Sequence, residues 1–560
     1  MDAGLALQPD ARRLTLPRFV EDVAARHGAR PALRDDTGAA LRFDELLAGA
    51  RAVARGLVAA GVAKGERIGV LLPSSCAWAT VAFGAATAGG VVVPLSTFAT
   101  ADELDFVLAH GDVATLVLAP EFLSHRFLDD LLARHPAIAE GAPGAVACAA
   151  LPALRRVIAT DLDARRGAVV PLGDVVRAGA RVDDALLDAL VASVDPGDDG
   201  MLIYTSGTSA RPKGVLHRQR APVIQSFRFA EYMALAPSDR VLSVQPFFWT
   251  AGIAMSLGAS LASGAELLVH ARFRAEEMLE AVERERPTAL HAWPHQEKEM
   301  AEHPTARARD LTSLRKVEFA NALAPLAGLE RDEWGTYGSY GLSETFTICT
   351  ALPAWAPAAD RAATSGEPLP GMEVRIVDPE SGAPLPRGAK GEIAVRGLTL
   401  MRGYARVAPE LVFDADGFFR TQDGGFLDEA GRLHWTGRLS SLVKTGGANV
   451  SPLEVEAAVD RFPGLVATVA VGVPHPTLGE ALVLCAVVAP GAAAPDEGAV
   501  VAALRARVAV YKVPRRVLFF GEAEAPRTGT QKLRADAFRE LARARLEAER
   551  AEIAGHVYGA

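Results

Sequence analysis

The chain has 560 residues, of which 50% are hydrophobic and 23% charged, and a net charge of −9. That length exceeds what one hydrophobic core serves, so two or more domains are expected. The acidic balance argues against nucleic acid as the main partner. Cys76, Cys148, Cys349 and Cys485 show neither CxxC spacing nor a disulfide framework, which fits buried thiols in a reducing, cytoplasmic compartment.

In chain order, Leu46, Leu47, Ala50, Val53, Ala54, Leu57 and Val58 fall on one helical face that ends at Gly61. Residues 67–72 (RIGVLL) read as a buried strand closed by Pro73. Residues 76–101 carry no charge and are long enough to span a bilayer. Gly84, Gly89, Gly90 and Pro94 interrupt them, so a buried helix running into a buried strand is expected and a membrane span is not. Strands at 91–94 and 114–118 continue the alternation, which predicts parallel α/β layers. From Glu373 onward, short strands at 374–377, 392–396 and 433–436, separated by Gly/Pro turns, predict a small β-rich subdomain. Past Arg438, strands at 466–473, 481–488 and 517–520 and a helix at 497–508 predict a compact α+β unit. In residues 535–552 acids and bases alternate, which predicts a solvated helix. The N-terminus has no basic segment leading into an apolar core, so no secretory signal is expected.

The densest chemical signal is residues 204–214, YTSGTSARPKG, directly after the apolar run Met201-Leu202-Ile203. A strand ending in Gly, Ser and Thr offers backbone N–H groups and hydroxyls to phosphate oxygens, and Lys213 adds positive charge. This is no Walker A loop, because Lys213 is followed by Gly and Val instead of Ser or Thr.

Together with three later blocks, that loop resembles the phosphate loop of the adenylate-forming superfamily: acyl- and aryl-CoA synthetases, peptide-synthetase adenylation domains and beetle luciferases. Residues 339–344 (SYGLSE) are similar to its Tyr-Gly-x-Thr-Glu block. Residues 391–397, then Thr421-Gln422-Asp423 and Gly437-Arg438, are similar to its middle blocks. Residues 526–532 (PRTGTQK) are similar to its C-terminal signature. The resemblance runs from about Leu16 to about Phe538. It implies an α/β fold: a large N-terminal domain of α/β layers with a small β-rich subdomain, then a mobile small α+β C-terminal domain. The expected bounds are 1–438, a hinge at 439–441, and 442–560.

The resemblance also implies a reaction, the ATP- and Mg²⁺-dependent activation of a small carboxylic acid to acyl-AMP, followed by transfer to coenzyme A. An amine or a carrier protein on a separate chain remains open as acceptor, as does a catalytically degenerate nucleotide-binding homologue. A homodimer is also compatible. Thr205, Ser206, Gly207, Thr208 and Lys213 would hold phosphates, Glu344 would bind Mg²⁺ as a hard carboxylate ligand, and Ser343 would contact the α-phosphate. Tyr340 would stack on adenine, Asp423 would accept from the ribose hydroxyls, and Arg438 would reach ribose or phosphate. Lys532 would bridge the substrate carboxylate and the α-phosphate. After rotation of the small domain, Lys444, Gly446 and Gly447 would line a thiol tunnel.

Four positions depart from the pattern: Ala210, Gln422 and Gln531 replace glycines, and Ser441 replaces a hinge aspartate. Trp249, with Ala251 and Gly252, stands in a block expected to gate the acyl pocket. Asn321, Ala322 and Leu323 stand where a Ser-Gly-Gly turn would leave room for the acyl group. A leucine at 323 is expected to shorten that pocket and favour a compact hydrophobic acid, with the helix at 225–232 also shaping it. His291, Trp293 and His295 lack partners at ligand spacing, so no metal site is expected there.

Overall fold

The computed structural model describes residues 10–205, 212–439, 442–460, 462–526 and 533–559, and of Arg438 only the backbone.

The helix Phe43–Ala59 turns Leu46, Ala50, Val53, Ala54 and Leu57 onto the helix Cys76–Thr87. The second helix is capped by Ser75, whose hydroxyl accepts from the Trp78 N–H at 3.2 Å, and is buried on nearly every face. That burial explains its uncharged sequence. Among the described residues, no helix is long and apolar enough to cross a membrane. Beside these helices lies an eight-stranded sheet in the order Gly403–Tyr404, Lys213–Arg218, Asp199–Thr205, Val91–Pro94, Arg67–Leu71, Thr115–Leu118, Arg156–Ala159, Val169–Pro171. From Asp199–Thr205 onward the pairing is parallel, and these strands read as continuous apolar runs because both faces are covered.

A second, five-stranded sheet runs Ala289–His291, Arg240–Ser243, Glu266–Val269, Pro31–Asp35, Ala40–Arg42. The β-rich part is an antiparallel sheet of Met372–Val377, Gly391–Gly397, Phe419–Leu427 and Leu433–Arg438. All four cysteines are buried and free, and burial pushes the Cys76, Cys349 and Cys485 thiols up to about 12.

The last unit pairs Leu465–His475 with Gly479–Val488, adds Arg516–Phe520 in parallel, and carries a hairpin of Val443–Thr445 and Ala448–Val450. Two sequence expectations change here. The helix Ala535–Ala548 is not simply solvated, because Phe538, Ala542 and Leu546 form a fully buried stripe in the core of this unit. The chain then leaves the helix: Arg550 and Ala554 adopt positive φ, and Glu552–Ile553 pairs with His556–Val557. The helix expected over 497–508 stops at Arg505.

Candidate active site

The eight-stranded sheet supplies the first wall. Asp199–Thr205 and Lys213–Arg218 pair antiparallel, with Thr205 opposite Lys213. Ser206, Gly207 and Thr208 lie outside the described residues, as does Ala210. A cavity of about 870 Å³ opens at this end, and its walls include Thr205, Lys213, Ser343, Glu344, Tyr404 and Asn449.

The second wall is a turn under tension. Ser343–Thr345 form one 3-10 turn, followed by Phe346 at φ 51° and Thr347 at φ 100°. Such backbone costs of order 1–3 kcal/mol per residue, so it persists only where the surroundings hold it. Buried His217 donates from Nε2 to the Ser343 carbonyl at 2.8 Å. The Gln225 amide donates to the carbonyls of Thr345 and Ile348 at 3.0 and 2.6 Å, and the Met401 N–H donates to the Glu344 carbonyl at 2.7 Å. Burial drives the His217 imidazole from its ordinary 6.5 to about 3, so the ring is neutral and the Ser343 carbonyl selects its tautomer.

Tyr404 is a site residue that sequence reasoning passed over. Its hydroxyl donates to Glu344 Oε1 at 2.6 Å, and its ring lies under the Lys213 ammonium, 4.9 Å from centroid to Nζ. Burial and the neighbouring Glu344 both raise its pKa, so the phenol stays a donor. The sequence signal was slight: a Gly-Tyr pair on a two-residue strand, brought to Glu344 only because Gly403–Tyr404 pairs with Lys213–Arg218.

Tyr340 and Asp423 are buried together, the phenol donating to Asp423 Oδ2 at 2.7 Å. Burial, then Asp423, raises the Tyr340 pKa well above its ordinary value. Neither residue lines the cavity, whose wall beside them is made by Thr421 and Gln422. Gln422 has φ 60°, a left-handed conformation that explains why glycine is the easier residue here. The Arg438 backbone sits opposite Asp423 in the same antiparallel pair, while its side chain lies outside the described residues. Lys532, Gln531 and Ser441 also lie outside them.

The hairpin of the small unit reaches across to the large one. Gly446 and Gly447, at φ 54° and 81°, form its turn, and a Cβ on Gly447 would stand 2.6 Å from Trp293 Cε3. Lys444 is exposed on the strand leading in, and its N–H donates to Glu480 at 2.8 Å. Trp293 meets Trp249 edge-on, with ring centroids 6.3 Å apart, and Trp249 meets Phe98 and Tyr511 at 6.4 and 6.0 Å. Trp293 and His295 thus supply a platform for the glycine turn, while buried His291 pairs with the Ser256 hydroxyl at 3.1 Å. Ala251 leads into a π-helical stretch, Gly252–Gly258, and a Cβ at Gly252 would strike the Pro246 carbonyl.

The Asn321 amide donates to buried Glu297, whose carboxyl is pushed up to about 8 by burial and then by Glu318. Ala322 is exposed. Leu323 is fully buried in a core cluster with Leu242, Leu268, Met278 and Leu290.

Comparison with known proteins matches this arrangement. Residues 20–405 match the family model "AMP-binding enzyme", and residues 454–532 match "AMP-binding enzyme C-terminal domain". A 3-[(3aS,4S,7aS)-7a-methyl-1,5-dioxo-octahydro-1H-inden-4-yl]propanoyl:CoA ligase of Mycobacterium tuberculosis is 33% identical over 87% of this chain and 91% of its own. A feruloyl-CoA synthase of Amycolatopsis is 33% identical over 95% and 97%. The amide bond synthetase McbA of Marinactinospora thermotolerans superposes with a TM-score of 0.73 at 28% identity, covering 94% of this chain and 99% of its own.

Proposed function

We propose that this chain, which belongs to the AMP-binding enzyme family, activates a carboxylic acid with ATP and passes the acyl group to coenzyme A. The observation that carries the reading is the cavity joining Lys213 and Thr205 of the paired strands to Glu344 of the strained turn, with the glycine hairpin of the second unit docked beside it.

In the first step the substrate carboxylate attacks the α-phosphorus of ATP, giving acyl-AMP and pyrophosphate. Two anions must meet, so the site has to supply cations and oriented donors. Lys213 and the Thr205 end of the strand face the phosphates. Ser343 offers a hydroxyl held by a turn that His217 and Gln225 brace.

A Mg²⁺ ion fits the donor set. Glu344 presents a hard carboxylate oxygen at the cavity wall, and no cluster of three His, Cys, Asp or Glu stands ready among the described residues. Mg²⁺ commonly takes one or two protein carboxylates, with phosphate and water oxygens for the rest. When bound, it neutralises phosphate charge. Tyr404 fixes the rotamer of Glu344 by its hydrogen bond, which leaves the other carboxylate oxygen to serve as ligand. Lys532 is assigned the bridge between the attacking carboxylate and the α-phosphate, and Asp423 and Arg438 the ribose. Tyr340 holds Asp423 in place through its hydroxyl, and the face of its ring is assigned to adenine.

In the second step the thiol of coenzyme A attacks the acyl carbonyl and AMP leaves. The chain then works as a unit of 1–438, a hinge at 439–441 and a moving unit of 442–560. The docked Gly446–Gly447 turn supports this, since glycine lets a thin pantetheine arm pass close to backbone. Likeness to an amide bond synthetase keeps an amine as the second reading of the acceptor. The buried free thiols support a reducing, cytoplasmic setting.

The test is pyrophosphate release from ATP and Mg²⁺ across a panel of acids, including aryl-propenoic and fused-ring propanoic acids, with coenzyme A or an amine added. Acid-dependent release stimulated by coenzyme A supports the reading. Stimulation by amines alone transfers it to amide synthesis.

A further inference from the structure

Lys512 is a cation placed where cations are costly. Its side chain is 5% exposed, and Nζ stands 2.7 Å from Glu103 Oε1 and 2.7 Å from Glu454 Oε1. An unpaired buried ammonium carries a large desolvation cost, so the two carboxylates are what allow it to be there. They come from different places. Glu454 lies on the helix Pro452–Ala458, in the same unit as Lys512, whereas Glu103 lies on the helix Ala101–His110 of the large unit. One partner travels with the lysine; the other is met only when the units dock.

Glu103 divides its oxygens between two tasks. Oε2 accepts from the Thr100 N–H at 2.8 Å and closes the capping box of its own helix. Oε1 accepts from Lys512 at 2.7 Å and from the Ala509 N–H at 3.4 Å. Capping alone explains Oε2 and leaves Oε1 unexplained. The neighbouring residue repeats the pattern in apolar form, as Tyr511 packs edge-on against Phe98 and Trp249 of the large unit, centroids 6.5 and 6.0 Å away. Trp249 in turn touches Trp293, the platform under Gly447. The lysine contact and the glycine turn therefore bracket one aromatic cluster from two sides, and both belong to the same docked pose.

We propose that Glu103 and Lys512 are positioning residues for acyl transfer: their ion pair holds the second unit in the pose that presents the Gly446–Gly447 turn to the site. This rests on the two-step reading above, in which the unit leaves that pose for adenylation. On leaving, Lys512 keeps Glu454 and so remains compensated, which makes the contact reversible. Glu454 is the resident partner and Glu103 the docking partner, and the two carboxylates have opposite effects on the balance of poses.

The experiment uses the full-length protein and measures each half-reaction alone, with acid-dependent ATP–pyrophosphate exchange for adenylation and single-turnover passage of preformed acyl-AMP to coenzyme A for transfer. Glu103→Gln keeps the cap, because glutamine serves at that position of a capping box, and removes the charge that meets Lys512. It is expected to slow transfer about tenfold, the scale of a hydrogen bond to a charged group, with exchange unchanged. Glu454→Gln leaves Lys512 compensated only when docked, so it is expected to slow exchange and spare transfer. A purely structural role would lower both half-reactions together in either variant. Pose is also read without turnover, from the distance between spin labels on E121C and E540C, both exposed positions. Glu103→Gln is expected to add a second distance to the wild-type distribution. Unchanged transfer with an unchanged distance, or equal loss of both half-reactions, overturns the proposal. If the wild type exchanges pyrophosphate with no acid, the proposed function fails, and the label distances still decide the role of the ion pair.

Discussion

Gly447→Ala is expected to separate the two half-reactions, because the added methyl clashes in the docked pose. The added methyl would stand 2.6 Å from Trp293 Cε3. Carbon–carbon contact is comfortable at roughly 3.5–4 Å, so the hairpin or the indole must give way by about 1 Å. Forcing extra volume into a packed contact costs roughly 1–3 kcal/mol, which is about 5- to 150-fold in the population of the docked pose. The substitution also meets φ 81°, a left-handed conformation that costs an L-residue roughly 1–2 kcal/mol. That cost is carried in both poses and lowers stability without shifting their balance. Transfer of preformed acyl-AMP to coenzyme A is therefore expected to fall by the clash factor, while acid-dependent pyrophosphate exchange stays at the wild-type rate. Equal loss of both rates, or none, would refute the reasoning, because the turn would then not be a docking element.

Gln422→Gly removes a left-handed glutamine worth roughly 1–2 kcal/mol of strain and returns roughly 0.5–1 kcal/mol through the freer unfolded chain. The bonds from Gln422 N–H to the Glu392 carboxylate at 2.8 Å and from Leu439 N–H to the Gln422 carbonyl at 2.8 Å use only backbone atoms of residue 422 and survive. A modest rise in melting temperature is expected, and a fall would contradict the strain. Tyr340→Phe deletes one donor to buried Asp423 and should cost roughly 1–3 kcal/mol, seen as a lower melting temperature with weaker ATP binding; unchanged melting would count against the pair. His217 sets an acid limit. Its folded value near 3 lies below the ordinary 6.5, so the unfolded chain binds the proton first. Its stabilising contribution is complete above pH 6.5 and is lost as pH falls toward 3. His217→Gln should flatten the pH dependence of chemical denaturation in that window, and an unaltered slope would show that another group governs it.

The layers were legible because both signals behind them are local. Uninterrupted apolar runs at 91–94 and 115–118 mark strands covered on both faces, and the uncharged helix Cys76–Thr87 marks an element buried all round. The phosphate-loop residues and the Ser343-Glu344 block stood out in the sequence because their chemistry sits within a few consecutive residues. What escaped depends on side chains converging from afar. Tyr404 lies 60 residues from Glu344 and meets it only through a two-residue strand pairing. Lys512 reads as one more surface lysine until Glu103, 409 residues away, is placed against it. Leu323 could be placed in a family block from the sequence, but its burial among distant core side chains could not be read from its neighbours. Likewise the terminal helix looked solvated from its alternating charges, although its Phe538–Ala542–Leu546 spacing, four residues each, is that of a buried stripe.

The central claim is that the acid is activated as an adenylate and then handed to a thiol. It is tested most directly by running one turnover with an acid whose carboxylate carries heavy oxygen, in the presence of ATP, Mg²⁺ and coenzyme A, and weighing the products. The account predicts AMP bearing one heavy oxygen, since a carboxylate oxygen bonds to the α-phosphorus and stays there when the thiol displaces AMP from the acyl carbon. Heavy oxygen in inorganic phosphate with ADP as the other product, or unlabelled AMP beside a formed thioester, would contradict it.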